Sequence, residues 1–189
     1  MEEILELCKK NNGYVTNKNL KDNEIPTVYL SRLCNSGDIK KVGRGVYLLK
    51  DDVEDDYFIF SLLYPNLIFH KYTALYLNGL INDEPEILNA VIDYNKAVPK
   101  TDDVNIMRSR KSTINIGDSV VVTPSGNECR CYDMERCICD LFIYDDIKSE
   151  IKREAIQNYR KKHLNKEKLY DYGKKLGIYD KLSLVFDLF

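Results

Sequence analysis

Between Gly13 and Leu49 the chain carries local folding signals so closely spaced that few architectures can accommodate them. Thr16 offers an N-cap to a short helix over Asn17-Lys18-Asn19-Leu20, which Asp22-Asn23 ends. Pro26 opens a second helix, because a proline at the first helical position gives up only a backbone N–H that has no intrahelical partner. That helix is predicted to run to about Asn35, with Gly37 as its left-handed cap. Leu30, Leu33 and Cys34 fall at i, i+3, i+4 and form its buried stripe, which turns Thr27, Tyr29, Ser31, Arg32 and Asn35 outward. Ile39–Val42 and Val46–Leu49 are β-prone runs on either side of Gly43-Arg44-Gly45, a hairpin turn with an arginine at its tip.

Two short helices, a tight turn and a small hairpin are the pattern of a winged helix-turn-helix. Met1 to Asn11, with Ile4, Leu5, Leu7 and Cys8 at helical spacing, supplies the preceding helix. A helix whose outward face carries hydroxyls and an arginine, beside a hairpin ending in a cation, suits duplex DNA. Thr27, Tyr29, Ser31 and Arg32 are the expected base-edge contacts, and Lys40, Lys41 and Arg44 the expected phosphate contacts. The competing expectation is a protein-docking module whose charges are merely solvated, a use to which winged helices are also put.

The formal net charge of −2 hides a division along the chain. Residues 1–50 hold nine Lys/Arg against six Asp/Glu, residues 51–146 eight against eighteen, and residues 147–189 eleven against six. A basic first module on an acidic body fits a DNA reader whose remainder must not adhere to phosphate, although an acidic middle also suits a protein- or cation-binding face. Glu2, Glu3 and Glu6 stand where a secretory signal would be basic, and no apolar run is long enough to span a bilayer, so a cytoplasmic protein with reduced cysteines is expected.

Asp51–Asp56 reads as an acidic linker, dividing a DNA-binding domain at 1–50 from a second domain at 57–189, with Tyr57-Phe58-Ile59-Phe60 able to pack back on the first. The second domain is predicted to be mixed α/β, giving an α+β protein overall. A helix is expected over 70–80 with Tyr72, Leu75 and Tyr76 on one face and Gly79 past its end, then strands at 86–94, 111–116, 119–123 and 128–132. Asp133 caps a helix from Met134 to about Tyr144, and three terminal helices follow: one marked by Ile147, Ile151, Ala155 and Tyr159, one over 166–176 capped by Gly177, and a last one over 181–189.

Chemical motifs are sparse. Cys129/Cys131 and Cys137/Cys139 suggest four thiolates for zinc, but structural sites favour C-x₂₋₄-C, and a two-residue step of about 200° on a helix points the second pair apart. Buried reduced thiols are the expectation, with Cys34 and Cys137 as small core residues. His70 and His163 stand beside no serine or cysteine in a nucleophile setting, and no phosphate loop or zinc-protease motif occurs. Asp133, Glu135 and Asp140 with Arg136 admit a metal-dependent catalytic reading. The favoured alternative is a solvated helix start, with Asp133 as cap, Glu135 favoured by the dipole and Arg136 paired to Asp140 at i, i+4. No enzyme activity, cofactor, metal or catalytic residue is therefore expected.

Gly43-Arg44-Gly45-Val46-Tyr47, then Tyr72-Thr73-Ala74-Leu75-Tyr76-Leu77-Asn78-Gly79-Leu80, then Asp133-Met134-Glu135-Arg136-Cys137-Ile138-Cys139-Asp140-Leu141, form an ordered set of landmarks. In that order and spacing the chain resembles the AbiEi family, antitoxins of the AbiE abortive-infection, type IV toxin–antitoxin systems of bacteria. The pattern carries over to Gly43, Arg44, Gly45 and Tyr47, to Ala74, Leu75, Gly79 and Leu80, and to Glu135, Arg136, Asp140 and Leu141. Family members often have a small hydroxyl residue in place of His70 and a threonine in place of Cys137.

The resemblance implies a winged helix that binds repeats in its own promoter and represses the operon, and a carboxy-terminal domain that counteracts a nucleotidyltransferase toxin without forming a tight complex with it. The implied protein acts in phage defence as a monomer or weak dimer. Its antitoxin surface is expected to involve Glu135, Arg136 and Asp140 together with the basic helix residues Lys152, Arg153, Arg160, Lys161 and Lys162. The alternative is a stand-alone winged-helix regulator with a ligand-sensing or dimerising second domain.

Overall fold

The computed structural model describes residues 1–162 and 165–186, so His163 and the last three residues of the expected terminal helix lie outside the described residues. The chain divides into two compact units: Met1–Pro65 with Thr123–Asn127, and Asn66–Val122 with Glu128–Phe189. The architecture is α+β, with one small sheet in each unit.

The first unit runs α1 (Glu2–Lys10), β1 (Tyr14–Thr16), α2 (Asn17–Asp22), α3 (Val28–Ser36), β2 (Ile39–Gly43), β3 (Val46–Leu49) and α4 (Asp56–Leu63). Thr16 closes a capping box on α2: its hydroxyl accepts from the Asn19 backbone N–H, and the Asn19 side chain accepts from the Thr16 N–H. Gly37 ends α3 at φ 80°, a left-handed conformation that a Cβ would strain. Pro26 sits two residues ahead of the first helical residue of α3, Val28, rather than at it.

The three strands form an antiparallel sheet of order β1-β3-β2, of which β1 has no counterpart in the sequence expectations. Its two faces are both covered. Ile4, Cys8, Val15, Leu20, Leu30, Leu33 and Ile39 pack on one side, while Tyr14, Val46 and Leu48 meet Ile59 of α4 on the other. The period-two alternation of β3 therefore needs a second layer, and α4 provides it. For this reason Asp51–Asp56, expected as a linker, lies within the first unit, which continues to Pro65.

Asp55 is the polar centre of this unit. Its carboxylate caps α4 by accepting from the Phe58 N–H at 3.1 Å, and its other oxygen accepts from Thr123 Oγ1 and from Asn127 Nδ2 at 2.8 Å. Its own N–H donates to the Tyr14 hydroxyl at 2.9 Å, with the whole group buried.

The second unit comprises β4 (Ile68–Phe69), α5 (Lys71–Leu77), β5 (Leu88–Asp93), β6 (Val104–Ser109), α6 (Lys111–Ile114), β7 (Asp118–Val122), β8 (Glu128–Tyr132), α7 (Met134–Ile143), α8 (Ser149–Lys162), α9 (Lys166–Leu176) and α10 (Tyr179–Phe186). Its sheet has the order β6-β5-β4-β8-β7 and is mixed: β5/β6 and β4/β8 pair parallel, β4/β5 and β7/β8 antiparallel. The helix α7 packs against α5, α8, α9 and α10.

Two expectations fail here for identifiable reasons. Lys111–Ile114, read as a strand from its β-branched residues, is a helical turn. The carbonyls beyond and within it accept from Arg136 and Tyr132, so distant donors satisfy a helix end that local propensity disfavours. In α5 the buried face is Thr73, Ala74 and Leu75, because the Thr73 hydroxyl accepts from the Asn89 N–H at 2.8 Å, leaving Tyr72 and Tyr76 only half-buried. The strands β4 and β6 were not anticipated.

Replacing Asp55 by alanine removes a cap and strands two buried donors. It is expected to destabilise the protein by about 2–4 kcal/mol. Urea denaturation followed by circular dichroism measures this; a loss below about 0.5 kcal/mol, the range of neutral surface changes, would contradict the buried network.

Candidate nucleic-acid interface

The outward face of α3 is set by its inward one. With Leu30 and Leu33 in the core, Thr27, Val28, Ser31, Arg32 and Asn35 are exposed. Thr27 stands at the N-cap position in helical backbone conformation and makes no capping hydrogen bond, which leaves its hydroxyl available. Tyr29, expected on the outer face, is half-buried against the core cluster, and the Arg32 guanidinium lies over its ring at 5.4 Å from the centroid. The aromatic ring thus supports the arginine.

On the hairpin, Lys41 and Arg44 are exposed. Lys40 is half-buried and ion-paired to Glu54 at 3.2 Å, so part of its charge is already compensated. Beside the hairpin tip lies a cleft of about 510 Å³ bordered by Asn17, Lys18, Arg44 and Gly45, and the Asn17 N–H donates to the Gly45 carbonyl at 2.9 Å. Lys18 and the exposed Val28 are the residues of this surface that sequence reasoning passed over. Val28 was traceable from its i, i+3, i+4, i+7 relation to Ser31, Arg32 and Asn35; Lys18 was not, since only β1 and the hairpin tip bring it beside Arg44.

The landmark on α7 has a different character. Asp133 caps the helix by accepting from the Arg136 N–H at 2.8 Å, as expected. Glu135, Arg136 and Asp140 are buried, which corrects both their place on an antitoxin surface and the solvated helix start. The Arg136 Nε donates to Asp140 Oδ1 at 2.8 Å, its Nη1 donates to the Thr113 and Ile116 carbonyls, and its guanidinium lies over the Tyr132 ring at 4.1 Å. Gly117 passes so close that a Cβ there would fall 2.3 Å from Arg136 Cβ. Lys168 pairs with both Asp133 and Glu135, and the Tyr159 hydroxyl donates to Glu135 at 3.1 Å. All three carboxylates of the metal reading therefore already have cationic partners, and among the described residues no group of three His, Cys, Asp or Glu is arranged for a metal ion.

The thiols diverge in their surroundings. Cys131 and Cys137 both lie within reach of the Asn78 amide, whereas Cys139 faces the Leu169 carbonyl. Burial raises all three thiols, Cys139 to about 12, which keeps them protonated.

Of the basic residues on α8, Lys152 donates to the Tyr144 carbonyl, Arg160 to the Val185 carbonyl and Lys162 to the Asn78 carbonyl. These cations tie the helix to its neighbours, although Lys162, like Arg153 and Lys161, is exposed.

These features define a class: a two-unit α+β protein whose first unit presents an exposed polar helix face and a cationic hairpin. Residues 2–50 match the family model described as transcriptional regulator, AbiEi antitoxin. The match does not extend into the second unit. Over the whole chain the fold is similar to the crystal structure of RV2827C protein from Mycobacterium tuberculosis, with a TM-score of 0.52 and 10% identity, covering 94% of this chain and 75% of that one. At that identity the likeness is one of fold. No curated protein sequence matches the chain. No described helix is long and apolar enough to cross a membrane.

The buried pair on α7 predicts a non-additive response. Arg136→Met alone leaves Asp140 buried without its cation and should cost about 3–5 kcal/mol, whereas Arg136→Met with Asp140→Leu should recover much of that loss. Equal losses in the single and double variants would show that the pair is not desolvated.

His70 supplies a second test. Its imidazole is buried with Nδ1 unpartnered among the described residues, and burial, with the charges of Lys71 and Arg136, pushes it down to about 3. The unfolded chain then takes up a proton below about 6.5 that the folded chain refuses, so this group contributes stability above 6.5 and loses it on acidification, by about 1.4 kcal/mol per pH unit. Asp140 acts in the opposite sense, since burial holds its carboxyl up to about 6 against the pull of Arg136. That contribution is common to the wild type and His70→Asn. The variant should therefore gain on the wild type as pH falls from 6.5 to 4.5, by about 2–3 kcal/mol in urea denaturation. A constant difference would mean that His70 is protonated in the folded state.

Proposed function

We propose that this protein is the antitoxin of a type IV, abortive-infection toxin–antitoxin system: a winged helix-turn-helix autorepressor that binds repeats in its own promoter and whose second unit counteracts a nucleotidyltransferase toxin. The observation that carries the reading is the coincidence of two facts about one segment. Residues 2–50 match the AbiEi antitoxin regulator family, and the same residues hold α3 with its polar face outward beside a hairpin tipped by Arg44. In this reading α3 enters the major groove. Thr27, Ser31 and Arg32 reach base edges, Tyr29 steadies Arg32, and Lys18, Lys41 and Arg44 meet phosphates. Lys40, already paired to Glu54, contributes less than the sequence pattern suggested.

The division of labour follows from the charges. Lys18, Arg32, Lys41 and Arg44 of the first unit make no ion pair among the described residues, while most charges of α7 and several of α8 hold the second unit together. Antitoxicity is therefore assigned to exposed parts of the second unit such as Arg153 and Lys161, and Glu135, Arg136 and Asp140 support them from within.

Two measurements test the proposal. In fluorescence anisotropy with promoter duplex, Arg44→Ala and Lys41→Ala should each weaken binding to all sequences alike and lower the salt slope by about one unit, whereas Lys40→Ala should change it less. Loss of affinity for one sequence alone, with the slope unchanged, would remove the hairpin from the phosphate contacts. Co-expression of this protein in cells that express the nucleotidyltransferase toxin of the proposed system should restore growth; continued toxicity with folded antitoxin present would remove the antitoxin role.

A further inference from the structure

The polar reading of α3 leaves one exposed side chain without a use. Val28, the first residue of the helix, is 54% exposed, although Leu30 and Leu33 of the same helix are at 1%. Exposure by itself does not mark it, since Val53, Val120 and Val122 are more exposed still; its place on the outward face of α3 does. Nor does it stand alone: Val28, Ser31, Arg32 and Asn35 follow i, i+3, i+4, i+7 and share one exposed face. Thr27, immediately before it, has a hydroxyl that makes no cap. An apolar group at the leading end of a helix, surrounded by hydrogen-bond donors and accompanied by the exposed cations Arg32, Lys41 and Arg44, matches the chemistry of a major-groove edge that bears a methyl group.

We propose that Val28 is a specificity-determining residue that recognises the 5-methyl group of a thymine. This rests on the DNA-binding reading given above and adds what that reading leaves open, the kind of base the site must contain. The isopropyl group of Val28 covers the thymine methyl and removes both from water. Arg32, held over the Tyr29 ring, is the donor beside it, and guanine is the base edge with two acceptors for a guanidinium. The charge of the surrounding surface selects a nucleic acid over a protein as the occupant, and the methyl selects thymine over cytosine at that position.

The test uses the full-length protein and a randomised duplex library, from which the preferred duplex is selected. Each thymine of that duplex is then replaced singly by 2′-deoxyuridine, which deletes the methyl and nothing else. At least one replacement should weaken wild-type binding about fourfold, the worth of one buried methyl group. Val28→Ala should bind the thymine and uracil duplexes alike while keeping the wild-type salt slope, and Val28→Thr, which retains a methyl, should keep part of the discrimination. The exposed site and the better helix propensity of alanine keep both variants folded, which circular dichroism verifies.

The outcomes separate. If the wild type selects no duplex from the library, the DNA-binding reading itself fails. If it selects one but every uracil is neutral, or if Val28→Ala still discriminates against uracil, DNA binding stands and the role of Val28 is overturned. If Val28→Ala instead binds DNA as the wild type does but loses rescue from the toxin, the valine belongs to a protein contact and the proposal is likewise overturned.

Discussion

The attitude of α3 depends on Leu30 and Leu33, which lock one side of a nine-residue helix into the cluster formed by Ile4, Cys8, Val15, Leu20 and Ile39. Burying two leucines stabilises the unit by about 3–6 kcal/mol, and a rotation of the helix by one residue would exchange Leu33 for Arg32 or Cys34. The first of these would bury a cation, which the core has no means to compensate, and the second would put a smaller side chain in place of a leucine. The exposed face is therefore specified by what cannot be exposed. The same cluster covers only one side of the sheet, and the alternation within β3 obliges α4 to cover the other. Core packing thus decides both which residues face outward and where the unit ends.

Legibility from sequence followed the range of the interactions. The helices α1, α2 and α3 and the hairpin are recognisable because their determinants are local: the Thr16 box, the Gly37 cap and the two glycines around Arg44 all act within a few residues. The strands β1, β4 and β6 escaped because two are only two or three residues long and β6 carries Asn105, Arg108 and Ser109 where an apolar alternation would have marked it. The helical turn α6 escaped because its stabilising donors, Arg136 and Tyr132, come from some twenty residues away. Asp55 read as one charge of an acidic linker, since nothing nearby announces that Thr123 and Asn127 will donate to it.

The candidate site was legible in a similar proportion. Ser31, Arg32, Thr27, Lys41 and Arg44 stand exposed where the periodicity places them. Tyr29 did not, because an aromatic ring with an apolar body packs wherever the core allows it and leaves the polar work to its neighbour. On α7 the i, i+4 spacing of Arg136 and Asp140 correctly announced a pair but said nothing of depth. A charged pair on a solvated helix and one in a core have the same sequence; only the carbonyls of Thr113 and Ile116, waiting for donors, make burial of the guanidinium affordable.

This difference bears on how charge should be used to locate function. Lys152, Arg160 and Lys162 carry the same charge as Arg44, yet each donates a hydrogen bond to a carbonyl of its own unit, at the last turn of a helix or the end of a neighbouring one. Such cations complete the fold and complement helix C-termini, so their density on α8 is no measure of attraction for a polyanion. The side chains of α3 and the hairpin present the opposite case. Thr27 makes no cap, Val28 is more than half exposed, and Arg32 lies over the Tyr29 ring without an ion pair among the described residues. An exposed polar and cationic surface that the first unit does not use to hold itself together is what the proposed DNA reading requires.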